Sequence, residues 1–444
     1  MMISVIKKLT LIILILSNCC LAQESNFSQL DEFLNILEEN NKLMATMTIS
    51  KNNQEIYNKA VGFSEVATKT KNSANTKFRI GSITKAFTAV MVFQLIDEGK
   101  ITLETPLSMF YPKVPGSEKI KISNLLNHSS GLYNITNDPD FGKWMLNPST
   151  KRQMLSRIKK YTLDFEPGEK TAYSNTNYLL LGYIIEGLDK DMYSQCLDRR
   201  IVKKIGLEHT YYGGEIYIKA NESNSYEIEN KDWMIQPETN MSNPGGAGAI
   251  VSTSGDLTKF MDALFNGDLI SKSSLEAMKK SNNKEVCHGL FYANMNGVDL
   301  YASEGGIDGF QSMLVHVPVT KTTIALVSNG LDFSKMRIML AAFGSSHGQP
   351  ITLPNFTHID LTEEQVKLYV GEYACDDVPY KLIFKAKGNI LLGAPEQSNL
   401  KELTPTKQHQ FTFDSLGVVL DFYPDTGLVR FTRGDNKPLL FKKL

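Results

Sequence analysis

Ser82 and Lys85 stand three residues apart at the head of an apolar stretch. On a helix that spacing puts a hydroxyl and an amine on one face, within reach of each other. An amine beside a serine hydroxyl can take its proton and leave a nucleophile for acyl transfer. A helix start adds N–H groups without intrahelical partners and the positive end of the peptide dipoles, which together suit a developing oxyanion. Gly81, just before the serine, lets a strand or a substrate come close. Ser-x-x-Lys also occurs at Ser4, Ser156, Ser281 and Ser398. Ser82 differs because Phe87, Val90, Met91, Phe93, Leu95 and Ile96 follow it. These cover most of a helix circumference and predict burial in a domain centre.

A second group is Tyr173-Ser174-Asn175. A nearby ammonium favours the phenolate of a tyrosine, which makes Tyr173 a usable base. The amide of Asn175 could hold Lys85 and also bind a substrate amide. The Tyr-x-Asn pattern recurs at Tyr292, so it too needs context. His128 and His288 read as packed structural histidines. The sequence shows no Cys-x-x-Cys and no His/Asp/Glu cluster with metal-ligand spacing, so the expected chemistry uses no metal and no cofactor.

These residues need a scaffold, and the chain of 444 residues is long enough for more than one domain. Apolar residues make up 42% and charged residues 21%, a balance that supports an ordinary core. A net charge of -1 gives no electrostatic reason to expect nucleic acid or an anionic membrane as partner. Helical spacing runs from Leu30 to Leu37. Strand-like runs at Ala45–Ser50 and Glu55–Phe63 flank the turn signal Asn52-Asn53. Helices and Pro/Gly/Asn/Ser loops fill Thr105–Ile270. Strands return as a meander at His288–Tyr292, Val298–Ala302, Phe310–Val317 and Thr322–Ser328, and Met336–Phe343 reads as a closing helix. The expectation is one α+β domain over residues 23–345, its antiparallel sheet uniting early hairpin and late meander.

Gly344–Asn355 is polar and rich in Pro, Gly and Ser, which places a linker over residues 346–360. Residues 361–444 then read as a small antiparallel β domain. Its strands are expected at Tyr380–Phe384, Ile390–Leu392, Gln410–Phe413, Val418–Phe422 and Leu428–Phe431. At the other end, Lys7-Lys8, an apolar run and small residues resemble a secretory leader over residues 1–22. The run is too short for a stable membrane span. The expected location is secreted or periplasmic; lipid attachment at Cys19 or Cys20 is the rival. Cys196, Cys287 and Cys375, far apart, read as small, mostly buried apolar residues.

Four blocks together carry a family resemblance. Phe78-Arg79-Ile80-Gly81-Ser82-Ile83-Thr84-Lys85-Ala86-Phe87 resembles the nucleophile segment of class C β-lactamases, D-alanyl-D-alanine carboxypeptidases and related esterases. Leu125–Leu132, Phe165–Lys170 running into Tyr173-Ser174-Asn175, and Gly245–Phe260 resemble further blocks of that superfamily, in its order. The resemblance covers about residues 27–345, and the tail is similar to a small barrel-like domain appended in some members. It implies a transpeptidase-like α+β domain and a two-step acyl transfer through a Ser82 acyl-enzyme, with Lys85 and Tyr173 moving its proton. Which of the two is the base stays open, because the pair titrates as a coupled unit.

One motif departs from the family. Where relatives carry Lys-Thr-Gly or His-x-Gly, this chain has Ser303-Glu304-Gly305, followed by Gly306. The resemblance implies that Gly306 gives the second oxyanion N–H, beside that of Ser82. Ser303 removes the cation or imidazole that receives a substrate carboxylate in many relatives, and Glu304 adds an acid. The implied substrates are small esters, D-amino-acid peptides, peptidoglycan fragments or β-lactams. An esterase or peptidase is favoured over a dedicated β-lactamase. The alternative function is a catalytically impaired protein that binds cell-wall fragments or penicillin.

Overall fold

A computed structural model describes residues 27–229, 232–281, 285–295, 297–433 and 437–444. The expected leader lies outside the described residues. Contacts divide the described chain into two units, Leu43–Leu331 on one hand, and residues 27–42 with Asp332–Leu444 on the other.

The first unit is built on a six-stranded antiparallel sheet. Its order is Phe291–Met295, Val298–Ile307, Phe310–Val317, Thr322–Leu331, Leu43–Lys51, Gln54–Val61. The early hairpin thus joins the late meander, with Leu43 opposite Leu331 and Lys51 opposite Thr322. Asn52 and Asn53 take positive φ in the hairpin turn, a conformation asparagine tolerates. The expected strand at His288–Tyr292 is displaced to Phe291–Met295. Gly289 explains the shift. Its φ of +96° breaks extended backbone, and a Cβ there would stand 2.3 Å from that of Ala89. The next strand runs past Ala302 to Ile307. Phe291–Met295 covers Val298–Ala302 and no further along that strand, so among the described pairings Ser303–Ile307 is bonded on one side only, to Phe310–Leu314 of the next strand.

Two helices fill the centre, Thr84–Asp97 and Asn175–Asp189. Every residue from Thr84 to Leu95 is buried, as the all-round apolar pattern predicts. Phe87 stacks on Phe260, with ring centroids 3.7 Å apart. Burying such aromatic and aliphatic side chains contributes about 1.5–3 kcal/mol each, which is what holds the helix Thr84–Asp97 in place.

The tail is a closed barrel of eight strands, from Gly371–Ala374 to Leu439–Lys443, which pair at Tyr373 and Lys443. Its core includes Tyr369, Tyr373, Phe384, Phe411, Phe422 and Phe441. Closure leaves no free sheet edge. Sequence patterning found five of these strands and missed Gly371–Ala374, Lys401–Lys407 and Leu439–Lys443. The second of these is polar and carries Pro405, which the sheet tolerates because the register shifts there. The closing helix, expected over Met336–Phe343, spans Lys335–Ser346 and so reaches the first residue of the expected linker. Cys196 and Cys287 are buried, and Cys375 is half-buried; all three are free thiols.

Candidate active site

The chain enters the site along the short strand Phe78–Arg79, which pairs with Ile250–Ser252. It then turns through Gly81–Ile83 into the buried helix. Gly81 has φ +51°, and a Cβ there would stand 2.8 Å from the backbone N of Gly306. A Cβ on Gly305 would stand 2.0 Å from the carbonyl oxygen of Ile80. Only glycine permits this approach, which sets the nucleophile turn directly against the strand Val298–Ile307. Ser312 Oγ donates to the same Ile80 carbonyl at 2.9 Å and fixes the contact.

The three residues singled out for catalysis meet. Lys85 Nζ donates to Ser82 Oγ at 2.9 Å. Ser82 Oγ and the Tyr173 hydroxyl are 2.7 Å apart. Lys85 Nζ also donates to Asn175 Oδ1 at 2.8 Å and to the carbonyl of Ala247 at 2.7 Å. Three acceptors therefore hold the ammonium in one orientation. Burial pushes the Lys85 amine below its ordinary pKa, and Tyr173 opposes that shift. A lysine so lowered reaches its neutral, proton-accepting form at lower pH than a free one.

The supports of Asn175 escaped the sequence reading. Asn134 Oδ1 accepts from the Asn175 backbone N–H at 3.0 Å, and Asn175 Nδ2 donates to Thr136 Oγ1 at 3.2 Å. Asn134, an ordinary loop residue by its sequence, thus holds the start of the helix Asn175–Asp189.

His128 is structural, as expected. Its Nδ1 accepts from the Ser174 N–H at 3.2 Å, which assigns the ring proton to Nε2. Its ring packs 4.5 Å from that of Tyr173. Burial, with the Lys85 charge adding to it, lowers the imidazole pKa to about 3. The consequence for stability has a definite sign. Unfolded chains bind a proton on this histidine below about pH 6.5 while the folded state refuses it down to about 3, so stability falls as pH falls through that window. The loss from this one group is roughly 4–5 kcal/mol by the lower end, at about 1.36 kcal/mol per pH unit. His316, lowered by burial to about 4, adds in the same direction. A His128→Asn variant, whose Oδ1 can replace Nδ1 as acceptor, is expected to show a shallower loss of stability between pH 6.5 and 4 in urea melts. Equal slopes for both proteins would show that His128 is not the group responsible.

Ser303 is buried and Glu304 is exposed. Both line a small recess of about 20 Å³ with Ser82, Lys85, His128 and Tyr173. The strand therefore presents a neutral hydroxyl and a carboxylate to the site where the relatives' motif presents a cation or imidazole. On its other side, Ser82 opens to a cavity of about 280 Å³ walled by Ile135, Phe141, Trp144, Met145, Leu179 and Pro244. Among the described residues Asp308 is the one ionisable group in its lining, and it is paired with Arg79 at 2.8 Å. Gly306 lies at the same cavity, so the predicted nucleophile and the predicted second oxyanion donor face a common space.

Comparison with known proteins agrees with this arrangement. The beta-lactamase family profile matches residues 33–347. Penicillin-binding protein 4* of Bacillus subtilis is 24% identical over 441 residues, covering 90% of this chain and 94% of the relative. A D-stereospecific amidohydrolase from Streptomyces sp. superposes with a TM-score of 0.60 at 26% identity, covering 68% of this chain and 94% of the other. The octameric penicillin-binding protein homologue from Pyrococcus abyssi has a TM-score of 0.67 at 21% identity, covering 94% of this chain and all of its own, which extends the likeness in fold to the tail. The family fold and these neighbours support serine hydrolase activity on amides and esters in general. The chain belongs to the beta-lactamase family.

Proposed function

We propose that the protein hydrolyses an ester or amide through an acyl-enzyme on Ser82, with Lys85 and Tyr173 moving the proton. The observation that carries this is the placement of one hydroxyl, Ser82 Oγ, between two proton-transfer groups at 2.7 and 2.9 Å. In the first step Ser82 Oγ attacks the carbonyl carbon and its proton passes to the Lys85–Tyr173 pair. The pair then returns a proton to the leaving group. In the second step water takes the same path and releases the acid. Incubation with a fluorophosphonate and with labelled penicillin, followed by mass spectrometry, tests it. A mass increase on the Ser82 peptide from either reagent is expected, and intact Ser82 with both would overturn the reading.

The substrate we infer is a D-amino-acid amide, ester or short peptide, of which cell-wall fragments are one source. Support comes from the D-stereospecific amidohydrolase and the penicillin-binding proteins among its relatives. The cavity beside Ser82 suits a bulky apolar, uncharged group. Export through the leader-like residues 1–22 fits such a substrate. No helix among the described residues is long and apolar enough to cross a membrane.

Ser303 gives this reading a measurable consequence. A substrate carboxylate that meets a hydroxyl in place of a cation loses a charge-assisted hydrogen bond of roughly 1.5–3 kcal/mol. That corresponds to a rate deficit of about ten- to a hundredfold. Neutral aryl esters are therefore expected to react more readily than cephalosporins, and Ser303→Lys is expected to narrow the gap in kcat/KM. Efficient cephalosporin turnover by the wild type, unimproved by Ser303→Lys, would mean that another residue anchors the carboxylate.

A further inference from the structure

Arg79 is a cation with almost no access to water. Its side chain is 2% exposed. One guanidinium nitrogen donates to Asp308 Oδ2 at 2.8 Å and to the carbonyl of Thr239 at 2.9 Å. The other donates to Glu238 Oε2 at 2.7 Å and to the carbonyl of Gly214 at 2.9 Å. Asp308 is equally enclosed, at 1% exposure. Its second oxygen, Oδ1, accepts from the Thr239 N–H at 2.9 Å. Asp308 also holds φ at +53°, a left-handed conformation that aspartate, asparagine and glycine take more readily than most residues. Both of its carboxylate oxygens are engaged at this turn.

The position of this pair along the chain gives it meaning. Arg79 ends the short strand three residues before Ser82, and Asp308 follows Gly306 just before the strand reverses into Phe310–Val317. The two N–H groups that would receive the oxyanion therefore lie on segments whose ends are joined by this ion pair. Glycine contacts join the same segments close to the serine, between Gly81 and Gly306.

We propose that Arg79 and Asp308 are positioning residues for the oxyanion hole: their ion pair sets the distance between the Ser82 and Gly306 N–H groups. A buried ion pair adds little net stability over an apolar pair of similar size, so its contribution here is geometric. Neither residue touches the reacting atoms, and both act through the backbones they hold. Oxyanion donors work only within a few tenths of an ångström of their target, and losing one costs about 10²–10³ in kcat. The proposal rests on the Ser82 acyl-enzyme reading.

The test compares Asp308→Asn, Asp308→Gly and Arg79→Lys with the wild type. Asp308→Asn keeps an acceptor for the Thr239 N–H but removes the charge. Asp308→Gly suits the positive φ and keeps the turn if Asp308→Asn fails to fold. For a neutral aryl ester, kcat is expected to fall about 10- to 100-fold with KM changed less than about twofold, short of the full loss of a donor. The pH–rate profile is expected to keep its shape, because Lys85 and Tyr173 are untouched. The inhibition constant of an aryl boronic acid, whose tetrahedral adduct on Ser82 occupies the hole, is expected to rise by the same factor as kcat/KM falls. A merely structural role would lower the melting temperature without this parallel. Folded variants with wild-type kcat and boronate affinity would overturn the proposal while leaving the Ser82 reading intact. A wild-type protein that forms no Ser82 adduct with the boronate or the fluorophosphonate would overturn the Ser82 reading itself.

Discussion

Ser82→Ala protein is expected to form no acyl-enzyme and to lose activity toward p-nitrophenyl esters by roughly 10⁴–10⁶-fold, the scale on which removal of a serine nucleophile acts. The Ser82 hydroxyl is the point at which Tyr173 and Lys85 converge, so no neighbouring group can replace it without moving. The fold should survive the change. Ser82 is half-buried, and Lys85 keeps Asn175 Oδ1 and the Ala247 carbonyl as partners when the hydroxyl is gone. Truncating a side chain of this kind usually alters stability by well under about 1 kcal/mol. Thermal melts should therefore match while turnover disappears. Hydrolysis at the wild-type rate by the alanine protein would remove Ser82 from the mechanism.

Substitution at Lys85 is expected to have the next largest effect, and it separates two roles. Lys85→Met removes both the charge and the proton acceptor and should lower kcat/KM by about 10²–10⁴, the usual contribution of a positioned acid or base. Lys85→Arg keeps a charge that stays protonated at any working pH. If the amine itself takes the serine proton, Arg will be as inactive as Met. If Lys85 serves to hold Tyr173 as phenolate, Arg will recover a measurable part of the rate and Tyr173→Phe will be the more damaging change. The pH profile gives a further check. Because burial lowers the Lys85 pKa, the acylation rate of the wild type should climb with pH and level off below the ordinary lysine range near 10.5. A rate that falls as pH rises through the alkaline range would show that the charged amine is the working form. Melting curves for each variant are needed beside the kinetics, since the carbonyl of Ala247 and Asn175 Oδ1 both lose their donor in Lys85→Met.

Helix period relates Ser82 to Lys85, but Tyr173 and Asn175 stood out only through the family resemblance of the block that carries them, because Tyr-x-Asn also occurs at Tyr292. The groups that hold them were less legible. The carbonyl of Ala247 has no sequence signature, since every residue carries one. Asn134 and Thr136 look like any loop pair until the fold sets them against Asn175. Arg79 and Asp308 are 229 residues apart, and only the sheet brings them together. A charged residue inside the apolar run Phe78-Arg79-Ile80, and an Asp-Gly turn after Gly306, were the available hints. On the fold, the central meander was readable from its apolar and β-branched runs between turn signals, and the barrel was only partly so. A strand such as Lys401–Lys407 turns one apolar side chain, Leu403, into the barrel core and shows polar residues elsewhere, so its pattern resembles a loop.

The pairing of Leu43–Lys51 with Thr322–Leu331 also decides when during synthesis the protein can become active. Ser82 leaves the ribosome early, whereas Gly306 and the strand beside Leu43–Lys51 come late. Contacts so distant in sequence form slowly, because a long loop must close before they repay its entropy. A nascent chain therefore holds Ser82, the proposed nucleophile, with Lys85 and Tyr173 but without the second wall of the site. The proposed oxyanion hole beside Ser82 cannot assemble until the last strands of the sheet have been made and have folded back onto the first.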